Sequence, residues 1–297
     1  MIGYKEGIEM KNIKGIILDV DGVIVGEKIG FNSPNPHDDV INKLKQLRNE
    51  GISISLCTAK PHFSIGEIIK NAGLDNYHIA DGGSVIINPI NNTIVKKHIL
   101  DKGIVKKILE VYIRNNVYTE IYTVDNYFIQ KSQECDITPK HRHILQENPV
   151  LLDDIVEESV KYDITKIMPI ALDEGDQVRV AKMFEEMNTG VTLSWGIHPI
   201  ANPLKFGIIT APGISKKQGA IEISKNMNIP LENILAVGDS TSDWQFIELC
   251  GYGAAMANAS DKLKELVQTK EENHYYVGNK TVDENGIIEI LEYFENK

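Results

Sequence analysis

Apolar and polar residues follow two different periods along the first 73 residues of the chain. A continuous apolar run at residues 15–18 predicts a short strand that is buried on both faces. Apolar residues three and four positions apart at residues 40–47 predict an amphipathic helix. A second strand is predicted at residues 52–57, and a second helix at residues 61–73, which ends on glycine. This β-α-β-α order predicts a parallel sheet.

The pattern changes over residues 86–210, where helices are mixed with antiparallel hairpins. The predicted strands lie at residues 84–87, 93–97, 120–124, 127–131, 164–170, 191–195 and 204–209, and the predicted helices at residues 104–113, 151–159 and 177–187. The inward-facing residues expected on the last of these helices are Val178, Ala181, Met183 and Phe184. Helices combined with hairpins predict a separate α+β domain.

The β-α alternation returns after residue 210. The predicted elements are a helix at residues 219–228, a strand at 234–237, a helix at 243–250, a strand at 252–256 and helices at 261–267 and 286–294. The first domain is therefore interrupted by the second and completed afterwards. We predict a discontinuous core of residues 1–85 and 211–297, with residues 86–210 as an inserted domain.

The composition describes a globular protein and narrows the class of partner. The chain of 297 residues is 42% hydrophobic, and its formal net charge of -11 argues against nucleic-acid and anionic-membrane binding. No apolar run approaches a membrane span, and residues 1–12 lack the apolar segment of a secretory signal. Three scattered cysteines favour reduced thiols and a cytoplasmic location. A small phosphorylated partner stays compatible with the negative charge, and no oligomeric state follows from the sequence.

Two predicted strands end on acidic residues. Asp19 and Asp21 follow the first strand, and Gly22 permits a sharp turn after them. Asp239 and Asp243 follow the strand at 234–237. Taken singly, these segments are also typical of an Asp-Gly turn and of a capped helix start. Because parallel strands end at one edge of a sheet, the four carboxylates are expected to converge, and such a cluster favours Mg²⁺.

Two further residues become candidates because of where they stand. Thr58 ends the second strand, where its hydroxyl would bond a phosphate oxygen or cap the next helix. Lys216 precedes the helix at 219–228, where it would neutralise phosphate and carboxylate charge or remain solvated.

The order Asp-x-Asp-Gly, Thr, Lys and Gly-Asp-x-x-x-Asp resembles the four motifs of the haloacid dehalogenase (HAD) superfamily of phosphohydrolases. The long stretch between Thr58 and Lys216 resembles the C2 class, in which a cap domain is inserted there. Its helices and hairpins look like the C2B cap of Cof-type and sucrose-phosphatase-like proteins. The resemblance implies an α/β fold: a doubly wound, Rossmann-like parallel-sheet core with an inserted α+β C2B cap.

The resemblance also implies roles for individual residues. Asp19 would be the nucleophile that forms an aspartyl-phosphate, and Asp21 the general acid and then the base. Thr58 and Lys216 would hold the phosphoryl group. Lys216 is preferred to the adjacent Lys217 because the apolar residues that follow it match the family pattern. Mg²⁺ would be bound by Asp19, Asp239 and the backbone carbonyl of Asp21, with Asp243 supporting it directly or through water.

Some positions depart from the family pattern or stay open. After Thr58 this chain has Ala59-Lys60, where the family often has Gly-Arg. Lys60 keeps the positive charge of the arginine but lacks its planar fork of hydrogen-bond donors. Ser242 stands at a usual asparagine, and residues 81–83 read Asp-Gly-Gly where many relatives have Asn-Gly. The basic segment 140–143 would meet an anionic group or form a solvated loop. In the last hairpin, Trp195 and His198 are the candidates for substrate contact, although Trp195 would equally suit the domain core.

Together these features predict a Mg²⁺-dependent phosphatase that acts on a small phosphorylated metabolite, most plausibly a sugar phosphate. A phosphomutase of the same architecture is the first alternative, and it would return the phosphoryl group to the sugar. A non-catalytic sensor of a phosphorylated ligand is the second.

Overall fold

A computed structural model of the protein describes residues 12–296. Residues 1–11, where the sequence lacks a secretory pattern, lie outside the described residues, as does Lys297. Among residues 12–296, none of the helices has the length and apolar character that crossing a bilayer requires.

The described chain contains fourteen strands and ten α-helices, and short 3₁₀ turns join several of them. In chain order they are β1 (Gly15–Leu18), α1 (Asp38–Asn49), β2 (Ser53–Leu56), α2 (Gly66–Ala72), β3 (His78–Ala80), β4 (Val85–Asn88), β5 (Thr93–Lys97), α3 (Lys102–Arg114), β6 (Tyr118–Tyr122), β7 (Tyr127–Gln130), α4 (Ile137–Leu145), β8 (Val150–Leu152), α5 (Ile155–Glu158), β9 (Lys166–Ala171), α6 (Glu174–Met187), β10 (Thr192–Gly196), β11 (Lys205–Thr210), α7 (Lys216–Met227), β12 (Ile234–Gly238), α8 (Trp244–Ile247), β13 (Tyr252–Ala255), α9 (Asp261–Val267), β14 (Tyr275–Val277) and α10 (Gly286–Glu295).

The core is built on a five-stranded parallel sheet in the order β14-β13-β12-β1-β2. All four residues of β1 are buried, as expected for the central strand of a sheet that is covered on both faces. Helix α1 packs against α2 and α10, whereas α7 packs against α8, so helices cover the sheet. The chain passes from β1 to β2 on one side and returns through β12 on the other. Such a reversal is where open α/β sheets bind their ligands.

A small antiparallel sheet of β3, β4 and β5 extends this core. An isolated parallel bridge between Cys57 and Ile79 connects it to the end of β2. Val85 and Ile87 of β4 belong to the hydrophobic cluster of the parallel sheet, and Leu100 belongs to that of the inserted domain. The division at residue 86 stays a prediction, and this packing places the β4–β5 hairpin against the core.

The inserted domain is a six-stranded sheet in the order β10-β11-β9-β6-β7-β8, antiparallel except between β7 and β8. Helices α3, α5 and α6 pack on one face. On the opposite face, α4 packs against side chains such as Met168 and Phe206, and Ala59 and Phe63 of the core join the same cluster. This second face of the cap therefore covers the core.

The structure corrects several expectations for the inserted domain. Residues 151–159 are not one helix, because β8 ends at Leu152 before the short α5 begins. Val178 is 70% exposed, and α6 instead buries Val180 and Met187. Segment 140–143 is not a solvated loop, because it lies on α4 and buries His141. Strands β3 and β14 were not predicted, because each has only three residues. Helix α4 was also not predicted.

Candidate active site

Adjacent parallel strands bring the first pair of acids together. Leu18 at the end of β1 is paired with Val237 of β12, so Asp19 and Asp239 leave neighbouring strands at one edge. Gly22 then turns the chain with a φ of +79°. A Cβ atom on Gly22 would lie 1.9 Å from Oδ2 of Asp239, so the glycine permits both the turn and the close approach.

Asp243 is held in place by the turn that follows β12. Its Oδ2 accepts hydrogen bonds from the backbone N–H groups of Asp239 and Ser240 and from the Ser240 hydroxyl. Ser240 and Asp243 thus form a capping box, as the simpler interpretation of this segment expected. The same turn also orients Asp239.

Lys216 supplies the cation of the acidic cluster. It is the first residue of α7, whose N-cap Ser215 accepts a hydrogen bond from Gln218 N–H. Its Nζ lies 3.0 Å from Oδ1 of Asp19 and donates to Oδ1 of Asp243 at 2.6 Å. Lys217 points elsewhere, with a half-exposed side chain 4.0 Å from Glu248. The structure therefore brings Lys216, and not its neighbour, to the acids.

Burial and mutual repulsion perturb these acids strongly. Burial, with the charge of Asp243, raises the pKa of Asp19 to about 7, although Lys216 opposes the shift. Burial, with the charges of Asp243 and Asp19, also raises the pKa of Asp239 well above its usual range. Burial alone would lower the pKa of Lys216, but Asp19 and Asp243 outweigh it and raise that pKa. The cluster therefore carries more negative charge than one lysine neutralises.

The donor set fits a hard divalent cation. Asp19, Asp239 and Asp243 each offer a buried carboxylate oxygen, and these oxygens lie within 4.8 Å of one another. Oxygen-only donors beside an open cavity are what Mg²⁺ favours. The Asp21 carboxylate is outside this group and turns towards the cap.

Asp21 is paired with one residue of the core and one of the cap. Its Oδ1 lies 3.2 Å from Lys60 Nζ and 3.0 Å from His198 Nε2. Burial alone would raise the pKa of Asp21, but these neighbours outweigh it and hold the pKa well below its usual range. Burial lowers the pKa of His198. The Nδ1 atom of His198 accepts a hydrogen bond from Ile200 N–H, so the ring proton lies on Nε2. Lys60 is thus the main cation that keeps Asp21 ionised.

Thr58 completes the group of predicted residues. It is buried, and its Oγ1 accepts from Lys60 N–H within the loop after β2. It caps no helix, because the next helical turn begins only at His62. Together with Asp19, Lys216 and Asp239, it lines a cleft between the core and the cap that opens to solvent and holds about 620 Å³ of empty space. All six predicted residues are buried or nearly so at this edge, with Asp21 facing the cap.

Sequence reasoning missed part of the cavity wall. Lys60 was noted only as a departure from the family pattern, and its contact with Asp21 was not expected. His198 was named as a candidate for substrate contact, whereas the structure places it against Asp21. The pair formed by Glu120 and His141 was missed, and a charged residue on a buried strand face was the signal available.

Comparison with known proteins agrees with this geometry. The model of the haloacid dehalogenase-like hydrolase family matches residues 16–293. The phosphatase YwpJ of Bacillus subtilis is 23% identical, covering 95% of this chain and 99% of its own. The 5-amino-6-(5-phospho-D-ribitylamino)uracil phosphatase YitU of the same organism is 22% identical, covering 94% and 97%. The solved sugar phosphatase BT4131 of HAD subclass IIB has a TM-score of 0.76 at 19% identity, covering 96% and 100%.

The family match spans both halves of the core and the domain inserted between them. The solved neighbour shares the α/β core with its cap. The predicted fold, a doubly wound α/β core with an inserted α+β cap, is thereby confirmed. The chain belongs to the haloacid dehalogenase-like hydrolases and is an HAD-type phosphatase.

Proposed function

We propose that the protein is a Mg²⁺-dependent phosphatase that hydrolyses a small phosphorylated metabolite, most plausibly a sugar phosphate, through an aspartyl-phosphate. One observation carries the proposal. Three buried carboxylates converge at the ends of β1 and β12, and a buried lysine lies 3.0 Å from Asp19. Such a site neutralises a phosphate group and presents a nucleophile to it, which is most of what phosphoryl transfer requires.

Each residue then has a role in two steps. Asp19 attacks phosphorus, the bond from phosphorus to the leaving-group oxygen breaks, and Asp21 gives that oxygen a proton. In the second step Asp21 takes a proton from water, which attacks the aspartyl-phosphate and releases inorganic phosphate. Thr58 and Lys216 hold the phosphoryl oxygens. Mg²⁺, bound by Asp19, Asp239 and the Asp21 carbonyl with support from Asp243, would supply neutralisation of the developing negative charge.

The contacts of Asp21 suit this change of role. Lys60 and His198 hold its carboxylate ionised, which is the form that accepts a proton from water. A phosphate anion beside Asp21 raises its pKa by repulsion, which restores the proton that the first step needs. The cap residue His198 reaches Asp21 only when the cap covers the core, so the acid–base group is completed by the covered state.

Two relatives support a hydroxyl-rich substrate, and the cavity beside the acids is partly polar, with Thr192, Ser194 and Gln245 on its wall. BT4131 is named a sugar phosphatase, and YitU is named a phosphatase of a ribitylamino compound. Both names describe a phosphate on a hydroxyl-rich carbon chain. We therefore infer a sugar phosphate, with no nucleic-acid or membrane partner. Free cysteines, one exposed and two buried, support a cytoplasmic location.

The test is hydrolysis of p-nitrophenyl phosphate with and without MgCl₂. Chelation by EDTA and the Asp19→Asn variant are each expected to abolish phosphate release. Lys216→Met should lower kcat by about 100-fold because a charge-stabilising group is lost. The matched control Lys217→Met removes a half-exposed lysine one residue away and should retain wild-type kcat. Undiminished hydrolysis by Asp19→Asn would contradict the mechanism.

The phosphomutase alternative is separated by product analysis. With glucose 1-phosphate as substrate, a hydrolase releases inorganic phosphate and glucose. Accumulation of glucose 6-phosphate without inorganic phosphate would instead establish a mutase. A non-catalytic sensor would bind phosphate esters and release nothing from any of them.

A further inference from the structure

A second chamber adjoins the cavity of the acids on the side of Asp21. It opens to solvent and holds about 400 Å³ of empty space. The residues that line both spaces are Asp21, Ala59, Gly196, Ile197 and Ile208. Asp19, Lys216 and Asp239 line only the first. The two chambers are therefore neighbours that share a wall, and Asp21 stands on that wall.

The position of Asp21 assigns a direction to the substrate. In an in-line displacement the nucleophile and the leaving group lie on opposite sides of phosphorus. The group that protonates the leaving-group oxygen must be within hydrogen-bond reach of it. With Asp19 in the first chamber and Asp21 at the junction, the leaving group extends past Asp21 into the second chamber.

Most of the wall of this second chamber is apolar. Ile144 and Leu145 of α4, Met168 of β9 and Phe206 of β11 contribute side chains that are at most 7% exposed. They belong to the cluster on the face of the cap that covers the core. Such a wall stabilises an apolar face of a ligand by removing it from water.

One imidazole on that wall is held by a buried acid. His141 is 4% exposed and lines the chamber, and its Nδ1 lies 2.7 Å from Oε1 of Glu120. Glu120 is fully buried, and its other oxygen accepts a hydrogen bond from the Tyr122 hydroxyl. The carboxylate fixes the proton on Nδ1 and leaves Nε2 as the ring atom available to a ligand. Among the hydrogen bonds of residues 12–296, none engages Nε2 of His141.

The chamber offers no free cation within the described residues. The Lys60 ammonium donates to the Ile144 carbonyl at 2.9 Å and lies 3.2 Å from Asp21. His141 is paired with the Glu120 carboxylate at 2.7 Å, so it supplies no free positive charge. Lys140 and Arg142 are exposed on α4 and do not line the chamber. A second anionic group on the substrate would therefore enter without a counter-charge.

We propose that this second chamber is the leaving-group specificity site, in which His141, oriented by Glu120, hydrogen-bonds an uncharged leaving group that has one apolar face. A substrate with a second phosphate or a carboxylate on its leaving group is excluded. The proposal rests on the proposed phosphatase function and adds the chemical class of the group that is released.

Aryl phosphates that differ in one substituent test the proposal. Phenyl phosphate presents the apolar face alone, 3-hydroxyphenyl phosphate adds one hydrogen-bonding group, and 3-carboxyphenyl phosphate adds one anion. For the wild type, kcat/KM is expected to be about tenfold higher for the hydroxyl compound than for phenyl phosphate, mainly through KM. For the carboxyl compound it should be about tenfold lower than for phenyl phosphate.

The variants connect this preference to His141. His141→Phe keeps a ring in the wall but removes Nε2, so the ratio of hydroxyl to phenyl compound should fall to about one. Glu120→Gln should reduce the same ratio, because the ring loses its fixed proton. His143→Phe is the matched control on the same helix, since His143 does not line the chamber, and it should keep the wild-type ratio. Ser194→Ala tests the wall of the first chamber and should also keep it.

Equilibrium binding separates this proposal from the phosphatase function. Affinity of the three aryl phosphates is measured in the Asp19→Asn background, with and without His141→Phe, so no turnover is needed. If the three compounds bind with the same order of preference as in turnover, and His141→Phe removes that preference, the proposal for the second chamber is supported even without hydrolysis. No preference in binding or turnover, or a preference removed by Ser194→Ala instead, would overturn it. Loss of hydrolysis alone would overturn only the phosphatase function.

Discussion

Asp81 and Lys166 form a fully buried ion pair between the core and the cap. Lys166 Nζ lies 2.8 Å from Oδ1 of Asp81, and both side chains are 0% exposed. Lys166 also donates to the Ala59 carbonyl at 2.8 Å and lies 3.8 Å from the centre of the Tyr122 ring. Because Ala59 follows Thr58, the same lysine holds the loop after β2 against the cap. We predict that this pair couples the two domains.

The perturbation removes one charge at a time with little change of shape. Asp81→Asn suits the backbone, because Asp81 has a φ of +50° and asparagine tolerates that region. Lys166→Met keeps the length of the side chain without its charge. Each single variant leaves a buried charge without its partner, which typically costs about 3–5 kcal/mol.

The pKa shifts of the pair place the expected cost at the lower end of this range. Burial raises the pKa of Asp81 and lowers that of Lys166, so a group that has lost its partner can become neutral instead of remaining charged. We expect each single variant to lose about 3 kcal/mol of unfolding free energy. In the double variant neither charge remains, so the combined loss should be about 2–3 kcal/mol smaller than the sum of the two.

Urea unfolding followed by tryptophan fluorescence measures both domains. The chain has two tryptophans, Trp195 in β10 of the cap and Trp244 in α8 of the core. The variants Trp195→Phe and Trp244→Phe each leave one reporter. Loss of the ion pair should shift the transitions seen by both reporters, because the pair joins the two domains.

Two results would refute the reasoning. Costs below about 1 kcal/mol for the single variants would mean that the buried charges are not coupled. A shift confined to Trp195 would mean that the pair stabilises the cap alone and does not join it to the core.

Three further predictions follow from the site and the core. Mg²⁺ should bind more tightly as pH rises through 7, because it must displace a proton from Asp19, whose pKa burial raises to about 7. Calorimetry in two buffers of different ionisation enthalpy should show that Mg²⁺ binding releases a proton, and binding without proton release would contradict this prediction. Gly22→Ala should abolish Mg²⁺-dependent hydrolysis and cost about 1–3 kcal/mol, whereas Gly73→Ala, also at positive φ but with nothing within 4 Å of its Cβ, should keep activity. Burial lowers the pKa of His78 to about 3, so between about pH 3 and 6.5 only the unfolded chain binds a proton at His78. The free energy of unfolding should therefore fall by about 1.4 kcal/mol per pH unit on acidification across this window. In urea unfolding at a series of pH values, His78→Asn should remove that part of the slope.

Much of the site could be predicted from the sequence because its parts are local. Asp19 and Asp239 each follow a short apolar strand, and parallel strands end at a common edge whatever lies between them. The position of Thr58 follows from the same rule. These two inferences required period and strand order alone. The choice of Lys216 over Lys217 also needed the resemblance to the family's apolar pattern, of which α7 buries Ile223.

The contacts of the cap could not be obtained in this way. Strand alternation places Lys166 on the same face as Met168, and Glu120 on the same face as Tyr122, so charged residues on a buried face were visible in the pattern. Nothing in that pattern says which face meets the core. Helix α4 was missed because its basic residues made it resemble a solvated loop.

The sequence alone thus determined the fold class and the group of residues at the strand ends, because hydrophobic period and chain order encode them locally. The tertiary structure alone decided that Lys60 and His198 flank Asp21, that Lys166 pairs with Asp81, and that Glu120 orients His141. Glu120 and His141 meet when α4 packs on the cap sheet. The contacts of His198 with Asp21 and of Lys166 with Asp81 form only when the cap sheet packs on the core, and no local period specifies either packing.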